Sequence, residues 1–324
     1  MMPGAATISK FPQQFDWVPA VEGGARLGTY RHFVVCGLGG SQLGAMLIHA
    51  YGPRPTIAMH RDYGLPDIPE SSRNDTLIIL SSYSGTTEET LDSARVAVSR
   101  GLAAAAISMG GKLIPFAKEH GLPHVIIPDT GLQPRLAVGF SMLAISKLMQ
   151  DDALEAQIRG AGKSVDVSVT SGEGERLAKE LQGSVPLIYT SRANGALGYV
   201  WKIKINETSK IPAFCNVIPE MNHNEINGLD PVETTRPLVA KMHALFIEDA
   251  SDELRNQKRM SVACEIFAER GVPVSRVVLQ GEGFLKAFNS YVMSDWVSYA
   301  LAAHYGVPDE ATPLIAEFKK RIAS

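Results

Sequence analysis

Apolar and polar positions along this chain come in blocks that alternate between two kinds. Residues 32–40, "HFVVCGLGG", form a short apolar run that ends in glycines, and "SQLGAMLIHAYG" after it has helical spacing closed by a Gly. "PTIAMH" and "TLIILSS" read as two more strands. "TTEETLDSARVAVSRG" then reads as a helix stopped by Gly101. "AAAISM" and "HVIIP" are further strands, separated by the helical "KLIPFAKEHG". The long apolar helix "RLAVGFSMLAISKLMQ" ends the segment. Strand runs unbroken by polar residues imply burial on both faces, hence a parallel sheet covered by helices.

Residues 151–185 change character: they are polar and helical, and read as a connection. The alternation then resumes. "VPLIYTS" is a strand, "GALGYVWKIKINETSK" a helix, "LVAKMHALFIED" a strand and "DELRNQKRMSVACEIFAERG" a helix. "SRVVLQGEG" and "FLKAFNSYVMSDWVSYALAAHYG" follow, and "TPLIAEFKKRIAS" closes the chain as a Pro-started helix. The expected organisation is an α/β domain over 1–150, connecting helices over 151–185, and a second α/β domain with a C-terminal helix over 186–324. A length of 324 residues accommodates two domains, and 45% apolar content accommodates their cores.

Charge narrows the classes. A formal net charge of -3 points away from a general nucleic-acid or acidic-membrane binder. The opening residues lack a leader-type apolar stretch, and no run approaches a membrane span. Cys36, Cys215 and Cys264 are scattered, which is no disulfide framework. The expectation is a cytoplasmic protein with reduced thiols.

Candidate chemistry sits at the end of a strand. "SSYSGTTEET", residues 81–90, follows "TLIIL" and opens a helix, with Thr86 and Glu89 spaced as a capping box. Free backbone N–H groups and the positive end of the helix dipole favour an anion there. Ser82, Ser84, Thr86 and Thr87 add neutral donors. No Lys accompanies them, so a phosphate would be a handle and not a transferred group. The alternative is a merely well-capped helix. "GLGGS", residues 37–41, could place Gly39, Gly40 and Ser41 at the same phosphate. It fails as a dinucleotide turn because Gln42 occupies the third glycine position.

Together these two stretches resemble the sugar isomerase domain family, which binds phosphosugars on a doubly wound sheet. "QPRLAVGF", "KINETSKIPAF", "EMNHNEINGLD" and "ATPLIAEFKKRI" make the chain similar, from about residue 30 onward, to the bifunctional phosphoglucose/phosphomannose isomerases. The resemblance implies two Rossmann-like, flavodoxin-type α/β domains with parallel sheets. It implies interconversion of glucose 6-phosphate, and mannose 6-phosphate, with fructose 6-phosphate through a cis-enediol, with no cofactor and no metal. It implies phosphate held by Ser41, Ser82, Ser84 and Thr87, with Glu207 as proton-transfer base. His223 would open the ring together with Lys319, for which Lys320 is a rival. Arg135 would stabilise the enediolate, and Thr312 matches a position tied to the mannose epimer. The histidine would come from a partner subunit, which implies a homodimer with shared sites.

The chemistry agrees on its own terms. One carboxylate can carry a proton between adjacent carbons. An arginine keeps its charge beside a developing oxyanion. A histidine or lysine suits proton relay in ring opening. Departures from the family pattern are Gln42-Leu43 in the glycine turn, "NETSK" for the more usual "NENAK", and "DEATPL" for "DPTPV". None removes a catalytic group. A noncatalytic phosphosugar sensor, or an isomerase of another sugar phosphate, remains as a different reading.

Overall fold

The computed structural model describes residues 4–53 and 57–322. The first two residues of the predicted strand at 55–60 and the last two of the C-terminal helix stretch lie outside these. The chain forms two compact units, one from residues 10–165 with 283–285, the other from 4–9, 166–282 and 286–322.

The first unit is built on six strands: β1 (Val21–Glu22), β2 (His32–Cys36), β3 (Ile57–His60), β4 (Thr76–Ser81), β5 (Ala104–Ser108) and β6 (His124–Ile126). Their order across the sheet is β1-β6-β5-β4-β2-β3. All neighbours are parallel except β1, which pairs antiparallel with β6. This two-residue strand is too short to carry a periodic signal. Without it the order is that of flavodoxin-type sheets, in which the chain turns opposite ways after its first strand.

Every residue of β4 and β5 is buried, as the unbroken apolar runs require. Alternate residues serve opposite faces. On one face Cys36, Ile78, Leu80, Ala104 and Ala106 pack with Leu91, Ala94 and Ala97 of the helix Glu88–Ser99 and with Leu113 and Ala117 of the helix Leu113–Glu119. The alanines let these helices lie close to the sheet. Elsewhere in the unit the helices Gly40–Tyr51 and Val138–Leu148 approach so closely that a Cβ on Gly44 would lie 2.6 Å from Ser141 Oγ. The helix Asp152–Lys163, capped by the Asp151 carboxylate accepting from Leu154 N at 2.9 Å, belongs to this unit.

The second unit holds β7 (Val185–Ser191), β8 (Phe214–Ile218), β9 (Met242–Glu248) and β10 (Val274–Val278), all parallel, in the order β10-β9-β7-β8. The topology repeats the five-stranded parallel part of the first sheet with one strand fewer. Tyr189, Phe246 and Phe267 form a tilted aromatic group in its core, beside Met221, Met260 and Cys264. β8 carries no strand signal in the sequence because it is an edge: Phe214 is exposed, Cys215 to Val217 are half-buried, and Asn216 interrupts the apolar run. Among the described residues no helix is long and apolar enough to cross a membrane.

Candidate active site

In a doubly wound sheet the crevice lies outside the carboxyl ends of the strands where the winding reverses. In the first unit that point is between β2 and β4, and the segments leaving it are "GLGGS" and "SSYSGTTEET". The two loops are knitted together. Ser81 Oγ donates to Ser41 O at 2.9 Å, and Tyr83 N donates to Ser41 Oγ at 2.9 Å. Gly39 sits at φ 54°, and the helix Gly40–Tyr51 starts immediately after it. A Cβ on Gly40 would lie 2.6 Å from the backbone nitrogen of Arg135, so the absence of a side chain lets the Pro134–Leu136 turn close over the glycine loop.

The hydroxyls divide into two roles. Ser82 is fully buried. Its Oγ accepts from Gly85 N at 3.1 Å and Thr87 N at 3.4 Å, and donates to Thr87 Oγ1 at 2.8 Å. It shapes the loop from beneath. Ser84 and Thr86 are exposed, share a hydrogen bond of 3.0 Å, and face outward. The helix expected to start at Thr86 begins at Glu88, with Thr87 as N-cap and no side-chain cap bond. The capping-box reading therefore fails. The buried Ser82 hydroxyl instead receives the N–H groups of Gly85 and Thr87, upstream of the helix.

Arg135 is 1% exposed. It sits on the short turn Pro134–Leu136 and not on the following helix, which starts at Val138. Gln14 fixes this segment: its Nε2 donates to Leu136 O at 2.8 Å and its Oε1 accepts from Gly139 N at 2.9 Å. The first unit thus gathers Gly39, Gly40, Ser41, Ser82, Ser84, Thr86, Thr87 and Arg135.

Glu207, His223, Thr312 and Lys319 lie in the second unit. Glu207 is half-buried on a π-helical turn, Ile205–Ser209, that continues the helix Gly195–Lys204. Lys210 ends the turn at φ 58° and folds its ammonium onto the Glu207 carbonyl. His223 is exposed at the end of the turn Glu220–His223. The Glu225 carboxylate ties that segment down. It accepts from Tyr189 Oη at 2.9 Å and from Asn216 Nδ2 at 2.6 Å. Thr312 precedes the helix Pro313–Ile322, which carries exposed Lys319 and Lys320 and buries none of its residues.

The second sheet has its own switch point, between β7 and β9, and its chemistry is inverted. Lys286 Nζ donates to Asp249 Oδ2 at 2.8 Å, Asp249 Oδ1 at 2.9 Å and Ser251 Oγ at 2.9 Å. Asn194 donates to Asp249 Oδ2 at 3.1 Å, and Ser191 to Asp252 Oδ1 at 2.7 Å. Burial by itself would raise the Asp249 carboxyl. The hydrogen bonds from Lys286, Ser251 and Asn194 outweigh it and hold the carboxyl at about 2. Burial raises Asp252, and the neighbouring Asp249 charge adds to this. Two carboxylates around one internal ammonium leave this cluster net negative, which disfavours a phosphate beside it. Sequence reading missed this cluster. The signal was a lysine inside the apolar "FLKAF" and an acidic "EDASDE" directly after a strand. Among the described residues no group of three or more His, Cys, Asp or Glu side chains is placed to hold a metal ion.

Residues 170–322 match the bacterial phospho-glucose isomerase C-terminal SIS domain family. The bifunctional phosphoglucose/phosphomannose isomerase of Aquifex aeolicus is 30% identical over 328 residues, covering 97% of this chain and 97% of that protein. That of Caldicellulosiruptor bescii is 32% identical over 299 residues, covering 87% and 86%. The solved C-terminal domain of glucosamine-fructose-6-phosphate aminotransferase from Francisella tularensis superposes with a TM-score of 0.66 at 15% identity, covering 94% of this chain and 97% of that one, a likeness of fold. With near-complete coverage at this identity, the chain belongs to the bifunctional phosphoglucose/phosphomannose isomerase family.

Proposed function

We propose that the protein is an aldose–ketose isomerase that interconverts glucose 6-phosphate and mannose 6-phosphate with fructose 6-phosphate by metal-independent proton transfer. The observation that carries this reading is the first switch point. It offers hydroxyls and helix-start amides to a phosphate, with a buried arginine closed over the same glycine loop. Gly39, Gly40, Ser41, Ser84, Thr86 and Thr87 hold the phosphate, and Ser82 keeps their loop in shape. The handle is anchored without the lysine and metal-binding hydroxyl of a phosphate-transfer loop, so the reacting end of the sugar is left free for chemistry.

His223, assisted by Lys319, moves a proton from O1 to O5 and opens the ring. Glu207 then takes the proton from C2 of the aldose, and the electron pair forms the cis-enediol. Arg135 compensates the charge that develops on oxygen. The same carboxyl returns its proton to C1 while the O2 proton passes to O1, giving the ketose. Reversal with delivery to either face of C2 yields both aldose epimers, a choice in which Thr312 takes part. The chain works as a homodimer with shared sites. The helix Pro313–Ile322 supports this, since Leu314, Ile315, Phe318 and Ile322 are all exposed in the single chain. Reduced cysteines, Cys36, Cys215 and Cys264, fit the cytoplasm.

The test is a coupled assay of fructose 6-phosphate formation from each aldose phosphate in chelator, on wild type and Glu207→Gln. Turnover of both sugars is expected, reduced by about 10²–10⁴-fold in the variant, the range a general base supplies. Turnover of glucose 6-phosphate alone would remove the dual specificity. Turnover of neither sugar, with binding intact, would overturn the reading.

A further inference from the structure

The π-turn that carries Glu207 has no obvious reason to be stable by itself. A π-helical turn sets its hydrogen bonds out of step with the α-helix before it, and such turns persist where something else holds them. Here the helix Gly195–Lys204 and the turn Ile205–Ser209 are tied repeatedly to one partner, the helix Gly283–Tyr305. Trp201 Nε1 donates to Ser290 Oγ at 3.0 Å. Lys204 Nζ donates to Tyr291 O at 2.9 Å and lies 2.7 Å from Asp295 Oδ2. Ser209 Oγ donates to Ser298 O at 2.8 Å. Lys204 and Ser209 are the residues just before the turn and at its end, so the ties bracket Glu207 on both sides.

The middle tie is the unusual one. Lys204 is fully buried and Asp295 is 4% exposed. A buried ion pair is a weak device for stability, because desolvating both charges offsets most of their attraction. What such a pair does well is fix one register, since any slip leaves a charge buried alone. We infer that Lys204 and Asp295 are positioning residues that lock the α-to-π transition in the register that presents Glu207 to the substrate. This rests on Glu207 being the proton-transfer base. The phosphate loops belong to the first unit, so loosening this lock should leave substrate affinity in place and impair proton transfer.

The experiment compares wild type, Glu207→Gln, Ser209→Ala and the double variant Lys204→Met with Asp295→Leu. Replacing both charges with apolar side chains of similar volume should keep the protein folded. Expected for the double variant is a thermal midpoint close to wild type, KM for glucose 6-phosphate within about twofold, and kcat lower by at least about tenfold, as displacement of a reacting group by an ångström produces. The fraction of C2 deuterium carried to C1, against that lost to solvent, should fall with it. Ser209→Ala should show the same split between kcat and KM, more weakly. A folded double variant with wild-type kcat and deuterium transfer overturns the inference. If the double variant does not fold, wild-type kcat and transfer in Ser209→Ala overturn it instead. Wild-type kcat in Glu207→Gln would remove the base assignment. An inactive Glu207→Gln beside a fully active double variant removes only the positioning role.

Discussion

Gly85 sits at φ +69°, and a Cβ there would lie 2.0 Å from the carbonyl oxygen of Gly110. The Gly85 carbonyl also accepts from Lys112 N at 2.8 Å and Leu113 N at 3.0 Å, which ties the hydroxyl loop to the segment after β5. Gly85→Ala should therefore both destabilise the first unit and distort the phosphate loop. The expected outcome is a loss of about 2–4 kcal/mol in urea unfolding with a raised KM, because backbone strain and a backbone clash add. The cysteines behave oppositely, as inert groups. Burial pushes the Cys36 and Cys264 thiols up to about 12, and raises Cys215 less far. A disulfide reagent should react slowly with the native protein and titrate all three thiols only after denaturation. At this scale the sequence displayed which hydroxyls and glycines were present. It did not display that Ser82 faces inward while Ser84 faces outward. That division depends on a turn closed by Gly85 and on contacts to residues about 25 positions away.

Each sheet presents a switch point, and the two have opposite chemistry. Removing a partner from the second should leave a charge buried alone. Asp249→Asn should cost about 3–5 kcal/mol near neutral pH, because Lys286 loses its carboxylate. The pH dependence follows from the depressed carboxyl. The folded protein holds Asp249 ionised down to about 2, against 3.8 for the free group. Its contribution is present above the unfolded value and is lost as pH falls from about 4 towards 2. Unfolding followed from pH 6 to 2 should show a slope in that window that Asp249→Asn flattens. Element by element, the buried strands β2, β4, β5, β7 and β9 were legible because their apolar runs are continuous. β1 and β8 were not, since one is two residues long and the other is an edge with mixed exposure. The helix after the hydroxyl loop was legible, but its first residue was not, because the buried Ser82 holds Gly85 and Thr87 in a turn and delays the helix to Glu88.

At the scale of the molecule, the C-terminal helix is the feature that a single chain leaves unfinished. Leu314 is 76% and Phe318 62% exposed on it. A second copy covering this face would give a mass near twice 35.0 kDa in sedimentation or light scattering. Phe318→Glu should shift that mass to the single-chain value and lower activity with it, if the sites are shared. An unchanged mass would place the interface elsewhere. The sequence by itself determined the α/β class, the repetition of strand and helix in two halves, the hydroxyl stretch after β4, and the family, because apolar period and short motifs are local properties. Only the tertiary structure decided that the hydroxyl loop meets Gly40 and the Arg135 turn at a reversal of winding. Only it decided that the second reversal is closed by Lys286, and that Glu207 rides a π-turn bracketed by ties to a helix some 85–90 residues further on. Those facts depend on strand order and on contacts distant in sequence, which no local pattern encodes.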